Sequence, residues 1–263
     1  MTNQVLPGAA AFSHHGTTSS GVLTLHGFTG NPSSVALQAR ALADAGHHVE
    51  SPRLPGHGTT IDDMLDTGWS DWTAEVEAAY ERLTRRASCI AVLGLSMGGT
   101  LALWTALRRR ELRGIVCVNP LTVPPPPDVV EMVRELVADG QRVVPGVGSD
   151  LADPDAVEIA YPGTPLGPLA SLVDEGVSPI AHRYGEITAP LLLFTSRQDH
   201  VVDPMNSEHL AATHGGEVEH VWLERSYHVA TQDYDRDDIN ERVLRFVARV
   251  TADRDRPSRS HPA

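Results

Sequence analysis

The chain has 263 residues, 41 % of them hydrophobic, and carries Lys+Arg 21 against Asp+Glu 34, a formal net charge of −13 at pH 7. That length suits one large α/β domain or two small ones, while the acidic balance repels phosphate backbones and anionic lipid head groups, so nucleic acid is excluded as a partner. No apolar run approaches the roughly 20 residues needed to cross a bilayer, and the first thirty residues lack a basic-then-apolar signal, so a cytoplasmic location is expected. Cys89 and Cys117 sit in apolar strand-like runs as small hydrophobes, with no disulfide or metal framework expected. The thirteen histidines show no His-x-x-x-His ligand spacing, and most are expected to be solvated.

Short β-branched runs alternate with longer amphipathic stretches, the pattern of a doubly wound, mostly parallel sheet. In chain order, Phe12-Ser13 reads as an antiparallel edge strand and 22–25 as a buried strand. A helix at 35–45, a strand at 49–51 and a helix at 69–86 follow, the last with Val76, Tyr80 and Leu83 on one face. Next come a strand at 89–93, a helix at 97–110 and a strand at 115–118. From about 120 to 186 the alternation lapses. Four prolines at 124–127 precede a helical piece at 129–138, apolar at Val130, Met132, Val133 and Leu136, and then loop-rich sequence through 146–148 and 162–168. A long insertion after a strand end is where a sheet enzyme places a lid over its site. The prolines read as a stiff hinge into that lid, with a polyproline ligand as the alternative. The rhythm resumes with a strand at 191–195, a helix at 204–213, a strand at 218–223 and a helix at 238–250 bearing Val243, Phe246, Val247 and Val250. The polar tail 251–263 is expected to be disordered.

The chemistry centres on Gly94-Leu95-Ser96-Met97-Gly98, placed between the apolar run 89–93 and a helix. A Gly-x-Ser-x-Gly in that context reads as a nucleophile elbow, a turn so tight that a Cβ at position 94 or 98 would collide with neighbouring backbone. Ser96 then projects from the sheet at a helix N-terminus, where free N–H groups favour negative charge. A serine hydroxyl needs a base, and the base an orienting acid, here expected at later strand ends in the order Ser, Asp, His. Strand 191–195 leads to Asp199, with Asp203 as the rival more suited to capping the next helix before Pro204. Strand 218–223 leads to His228; His200, beside the acid, and His220, within a strand, fit the base less well. The turn Leu25-His26-Gly27-Phe28-Thr29-Gly30 and the residue after the nucleophile supply the expected oxyanion donors, the backbone N–H groups of Phe28 and Met97. His26 and His57 read as structural hydrogen-bonders.

These segments, with Asp199-His200-Val201-Val202 and Ser226-Tyr227-His228-Val229-Ala230-Thr231, resemble the bacterial monoacylglycerol lipases of the α/β-hydrolase superfamily. The resemblance runs from about Val5 to Val250 and takes in Pro52-Arg53-Leu54-Pro55-Gly56-His57-Gly58-Thr59 and Gly148-Ser149-Asp150-Leu151. It implies one α/β-hydrolase domain across 1–263 with a cap inserted at about 120–186. It also implies Ser96, Asp199 and His228 as a triad, Phe28 and Met97 as oxyanion donors, and no cofactor. The stretch Pro154-Asp155-Ala156-Val157-Glu158-Ile159-Ala160-Tyr161 resembles the family's cap, in which the glutamate matching Glu158 hydrogen-bonds the glycerol hydroxyls. The implied partner is a small lipid ester, held by apolar contact, with the lid making transient contact with lipid surfaces. A broad short-chain carboxylesterase is the alternative within the fold, and a non-catalytic ligand-binding protein the alternative outside catalysis.

Overall fold

The computed structural model describes residues 4–146 and 149–252. Its main sheet has seven strands: β1 (Phe12–His14), β2 (Ser20–Leu25), β3 (His48–Ser51), β4 (Cys89–Leu95), β5 (Gly114–Val118), β8 (Leu191–Ser196) and β9 (Val218–Leu223). They lie in the order β1-β3-β2-β4-β5-β8-β9. Only β1 runs antiparallel, against β3, as the edge strand read from Phe12-Ser13. The remaining pairings are parallel. The four central strands β2, β4, β5 and β8 are buried along their whole length, which is why they read as unbroken apolar runs.

Side chains alternate across those strands, so the sheet feeds two cores. Leu23 and Leu25 join Trp72, Tyr80 and Leu83 of α3 (Trp69–Thr84) and Leu101 of α4 (Met97–Arg108) on one face. Val22, Leu93 and Val116 meet Leu42 of α1 (Ala36–Asp44) and Val243, Phe246 and Val247 of α9 (Arg236–Thr251) on the other. The predicted elements hold with ends shifted by at most two residues. A short helix, α2 (Ile61–Met64), has no apolar stripe and escaped prediction; the Thr60 hydroxyl caps it by accepting from Asp63 N–H.

The interval after β5 is more structured than expected. Helix α5 (Pro127–Ala138) starts two residues before the predicted piece and has no buried residue. β6 (Val143–Pro145) and β7 (Gly163–Pro165) pair as an antiparallel ribbon across sequence predicted as loop. α6 (Leu166–Ser171), a π-helical segment Leu172–Val177 and α7 (Ser178–Ile180) then return to the body. Leu172, Val177, Ile180 and Tyr184 enter the same core as Trp69 and Trp72. α8 (Met205–Thr213) links β8 to β9. Residues 147 and 148 of the loop-rich stretch, and the tail from 253, lie outside the described residues. No helix among the described residues is long and apolar enough to cross a membrane.

Both cysteines are buried free thiols. Most described histidines keep some exposure, while His26, His47, His57 and His228 are buried, each held by a hydrogen bond that compensates its lost hydration.

Candidate active site

Ser96 links the end of β4 to the first turn of α4 with φ 56° and ψ −120°, a conformation that carries roughly 1–3 kcal/mol of strain in a residue with a side chain. Its own N–H is tied to Val118 O at 2.9 Å, which anchors the turn to β5. The flanking glycines are sterically required. A Cβ on Gly94 would overlap the Gly98 carbonyl, and one on Gly98 would overlap the Leu25 carbonyl. The tight packing lifts Ser96 Oγ toward a cleft of about 110 Å³ at the C-terminal end of the sheet.

Asp199 follows β8 and His228 follows β9. Their side chains meet at 2.8 Å between Asp199 Oδ2 and His228 Nδ1, both almost fully buried. The other carboxylate oxygen accepts the N–H groups of Val201 and Val202, each at 2.8 Å, so the acid is oriented by its own loop. With Nδ1–H donated to Asp199, the imidazole keeps Nε2 as its acceptor. His228 and Ser96 line the same cleft. The rivals are placed otherwise. Asp203 accepts Met205 N–H at 2.8 Å at the start of α8. His220 bonds Thr195 Oγ1 from within β9, and the half-exposed His200 bonds Asp150.

The turn after β2 faces the elbow: a Cβ on Gly27 would lie 3.3 Å from Ser96 Cβ. The N–H groups of Phe28, which lines the cleft, and of Met97, which follows Ser96, have no acceptor among the described residues. Beneath this turn, His26 bonds Gly27 O at 2.9 Å and accepts Leu54 N–H at 3.2 Å, which defines a neutral tautomer. Burial, reinforced by His57, holds the His26 pKa well below the usual histidine value. Burial likewise pushes His57 down to about 4. The two rings stack edge-on at 4.9 Å, and His57 and Phe28 both pack edge-on against Trp72.

Glu158 reaches the cleft from the interval between β6 and β7, its carboxylate 3.7 Å from where a Cβ on Gly30 would stand. Burial pushes its pKa up; His228 opposes that shift and Asp150 adds to it. No described protein group donates a hydrogen bond to this carboxylate. Its segment is nonetheless fixed. Asn31 Nδ2 bonds Ile159 O, Tyr161 N–H bonds Thr29 O at 3.1 Å, and Tyr161 Oη bonds Gly56 O at 2.8 Å.

Three further residues of the site were given no role from the sequence. Asp150 Oδ2 accepts His228 N–H at 3.0 Å and His200 N–H at 3.2 Å, while Oδ1 meets His200 Nδ1 at 2.8 Å. Asn119, with φ 46° after β5, donates to His228 O at 2.8 Å and to Ser196 Oγ at 3.0 Å. Asp233 is fully buried and accepts N–H groups from Ala152, Asp153 and Tyr227. Asn119 alone was open to suspicion, as an asparagine at a strand end tolerates the left-handed region.

The profile of the alpha/beta hydrolase family matches residues 22–242. The chain is 41% identical over 232 residues to the thermostable monoacylglycerol lipase of Bacillus sp. (strain H-257), covering 87% of this chain and 90% of the relative. It is 27% identical over 234 residues to a carboxylesterase of Bacillus subtilis (strain 168), covering 87% and 92%. A solved structure from the metagenome-derived lipolytic enzymes LipS and LipT superposes with TM-score 0.88 and 39% identity, covering 94% of this chain and 100% of that one. At 17% identity, the Paleococcus ferrophilus monoacylglycerol lipase shares the fold with TM-score 0.72, covering 91% and 98%. With a matching profile across most of its length and a relative of this identity over nearly the whole of both chains, the protein belongs to the alpha/beta hydrolase family.

Proposed function

We propose that the chain hydrolyses the carboxylic ester of monoacylglycerols, with Ser96 as nucleophile, His228 as base and Asp199 as the orienting acid. His228 Nε2 takes the Ser96 Oγ proton as Oγ attacks the ester carbonyl. The oxyanion is met by the Phe28 and Met97 N–H groups, neither of which has another acceptor among the described residues. Collapse of the tetrahedral adduct breaks the C–O bond to glycerol, which leaves with the proton from His228. Water, deprotonated by the same imidazole, then attacks the acyl-serine and releases the fatty acid. These steps need only groups of this chain and water. The 120–186 interval serves as the cap, with α5 covering the acyl side and the Glu158 segment the alcohol side.

Glu158 carries the reading of the alcohol. A partly buried carboxylate in the cleft without a protein donor is stabilised by a ligand that supplies hydroxyls. The glycerol of a monoacylglycerol offers two. The lipase of Bacillus sp. named above supports the same substrate class. The test is Glu158→Ala assayed on a monoacylglycerol and on a nitrophenyl ester of the same acyl chain. Hydrogen bonds to a charged group contribute roughly 1.5–3 kcal/mol, so kcat/KM for the monoacylglycerol is expected to drop about tenfold or more. The nitrophenyl ester is expected to be hydrolysed nearly as before. Equal losses on both esters, or none on either, would return the chain to the broader carboxylesterase reading that the Bacillus subtilis relative represents.

A further inference from the structure

The loop that carries His228 has no regular structure to hold it, since β9 ends at Leu223 and α9 begins at Arg236. Its position rests on side chains. The His228 N–H is taken by Asp150 Oδ2 at 3.0 Å, and the His228 carbonyl by Asn119 Nδ2 at 2.8 Å. The same Asp150 carboxylate takes His200 N–H at 3.2 Å, one residue beyond Asp199. The Asp150 backbone carbonyl receives Val229 N–H at 3.2 Å. Asp233 repeats the connection beside it, holding Tyr227 N–H and the Ala152 and Asp153 N–H groups on one carboxylate. Asp150 is nearly buried, its side chain 10% exposed. It comes from the interval between β6 and β7, outside the main sheet.

We infer that Asp150 is a positioning residue: it clasps the acid-bearing loop to the base-bearing loop and sets the distance at which Asp199 orients His228. The inference rests on the triad proposed above and adds the element that aligns it. It also makes catalytic alignment depend on the docking of residues 149–153, because the clasp is supplied from there. The bond to the imidazole is made by Asp199, so Asp150 acts on the backbone of His228 and on none of the reacting atoms. Loss of the clasp frees both loops to separate by a fraction of an ångström to an ångström, and a misplacement of that size reduces turnover on the order of 10²-fold.

The experiment compares Asp150→Ala, Asp150→Ser and Asp150→Asn with the parent, on the nitrophenyl ester and the monoacylglycerol, alongside Ser96→Ala. Asparagine keeps an acceptor oxygen where Oδ2 stands; alanine keeps none, and the serine hydroxyl is too short to reach both N–H groups. The expected result is a fall in kcat of about 100-fold for Asp150→Ala on both esters, with KM changed less than about threefold. Asp150→Ser follows alanine, and Asp150→Asn stays within about tenfold of the parent. Labelling of Ser96 by a fluorophosphonate slows in the same order, measured well below each variant's Tm. If alanine is not recovered folded, the serine and asparagine variants decide the matter between them. Full kcat in Asp150→Ser, a loss confined to KM, or equal losses for serine and asparagine would overturn the role of Asp150. Turnover surviving in Ser96→Ala would instead overturn the triad on which the inference rests.

Discussion

Asp199 and Asp203 lie four residues apart after the same strand, and their surroundings give them different work. Asp199 is buried, faces His228 Nδ1 and is braced by two backbone N–H groups; Asp203 spends its carboxylate on the first turn of α8. Replacing Asp199 with Asn presents an amide to the imidazole and favours the wrong tautomer. A loss of kcat on the order of 10⁴ is expected. Asp203→Asn keeps a capping oxygen and should stay within about tenfold of the parent. Steady-state kinetics on one ester check both, and a larger loss for Asp203→Asn would reassign the acid. Ser96→Ala should reduce kcat by about 10⁶ while leaving the far-ultraviolet spectrum unchanged. The serine's positive φ is a liability for stability, so the alanine variant unfolds no higher than a few degrees from the parent in a thermal melt.

At the scale of elements, the elbow and the neutral histidine pair are both rigid supports with separate weaknesses. Gly98→Ala drives a methyl into the Leu25 carbonyl and must displace β2 or α4. It is expected to lower Tm and activity together. Gly167→Ala in α6 meets nothing within 4 Å and should be neutral or slightly stabilising, which calibrates the measurement. The histidine pair predicts acid sensitivity. His57 titrates near 4 in the folded protein and at the ordinary histidine value of about 6.5 when unfolded. The unfolded chain therefore binds more protons between those limits. Stability is fully present above about pH 6.5 and is lost as pH falls through that window, by about 3 kcal/mol from His57 alone. His26, lowered in the same direction, adds to it. In denaturant titrations at pH 7.5 and 4.5, His57→Phe should lose less stability than the parent across the same interval. An identical loss in both would mean that His57 takes up its proton at the same pH in the folded and the unfolded chain.

Across the whole molecule, the interval between β5 and β8 divides into parts of unequal attachment. Residues 149–161 are bonded to the His228 loop, to the turn after β2 and to the 56–59 loop, and residues 166–186 supply core. Helix α5 has no fully buried residue, and Val129, Val130 and Val133 line an apolar groove with Leu169 and Val173. If this groove takes the acyl chain, polarity introduced there acts on binding and leaves the fold alone. Val130→Asn is expected to shift Tm by no more than a few degrees. It should lower kcat/KM for long-chain esters about five- to tenfold relative to short-chain ones, the effect of removing one branched side chain from an apolar contact. A chain-length series on the purified protein measures that ratio. Uniform losses at every length would place the acyl chain elsewhere.

The succession of strands and helices, the tight turn at Ser96, the turn at Phe28 and the strand-end positions of Asp199 and His228 were legible because each depends on local chemistry. Apolar runs mark buried parallel strands, glycines mark turns that exclude a Cβ, and catalytic groups sit at strand ends. The boundaries moved by a few residues since hydrogen bonding, unlike hydropathy, does not stop at a polar residue such as Ser20 or Ser196. The ribbon of β6 and β7 and the burial of His26, His47 and His57 were hidden for another reason. Each exists through partners distant in sequence, such as Leu54 for His26 and residues 163–165 for 143–145. The same holds for Asp150, Asn119 and Asp233, whose carboxylates and amide act on backbone groups of the His228 loop. The Asp150–His228 contact spans 78 residues and the Asn119–His228 contact 109. Residue type and spacing single out the groups proposed for the chemistry, but the alignment of those groups is decided by hydrogen bonds that only the folded chain brings within reach.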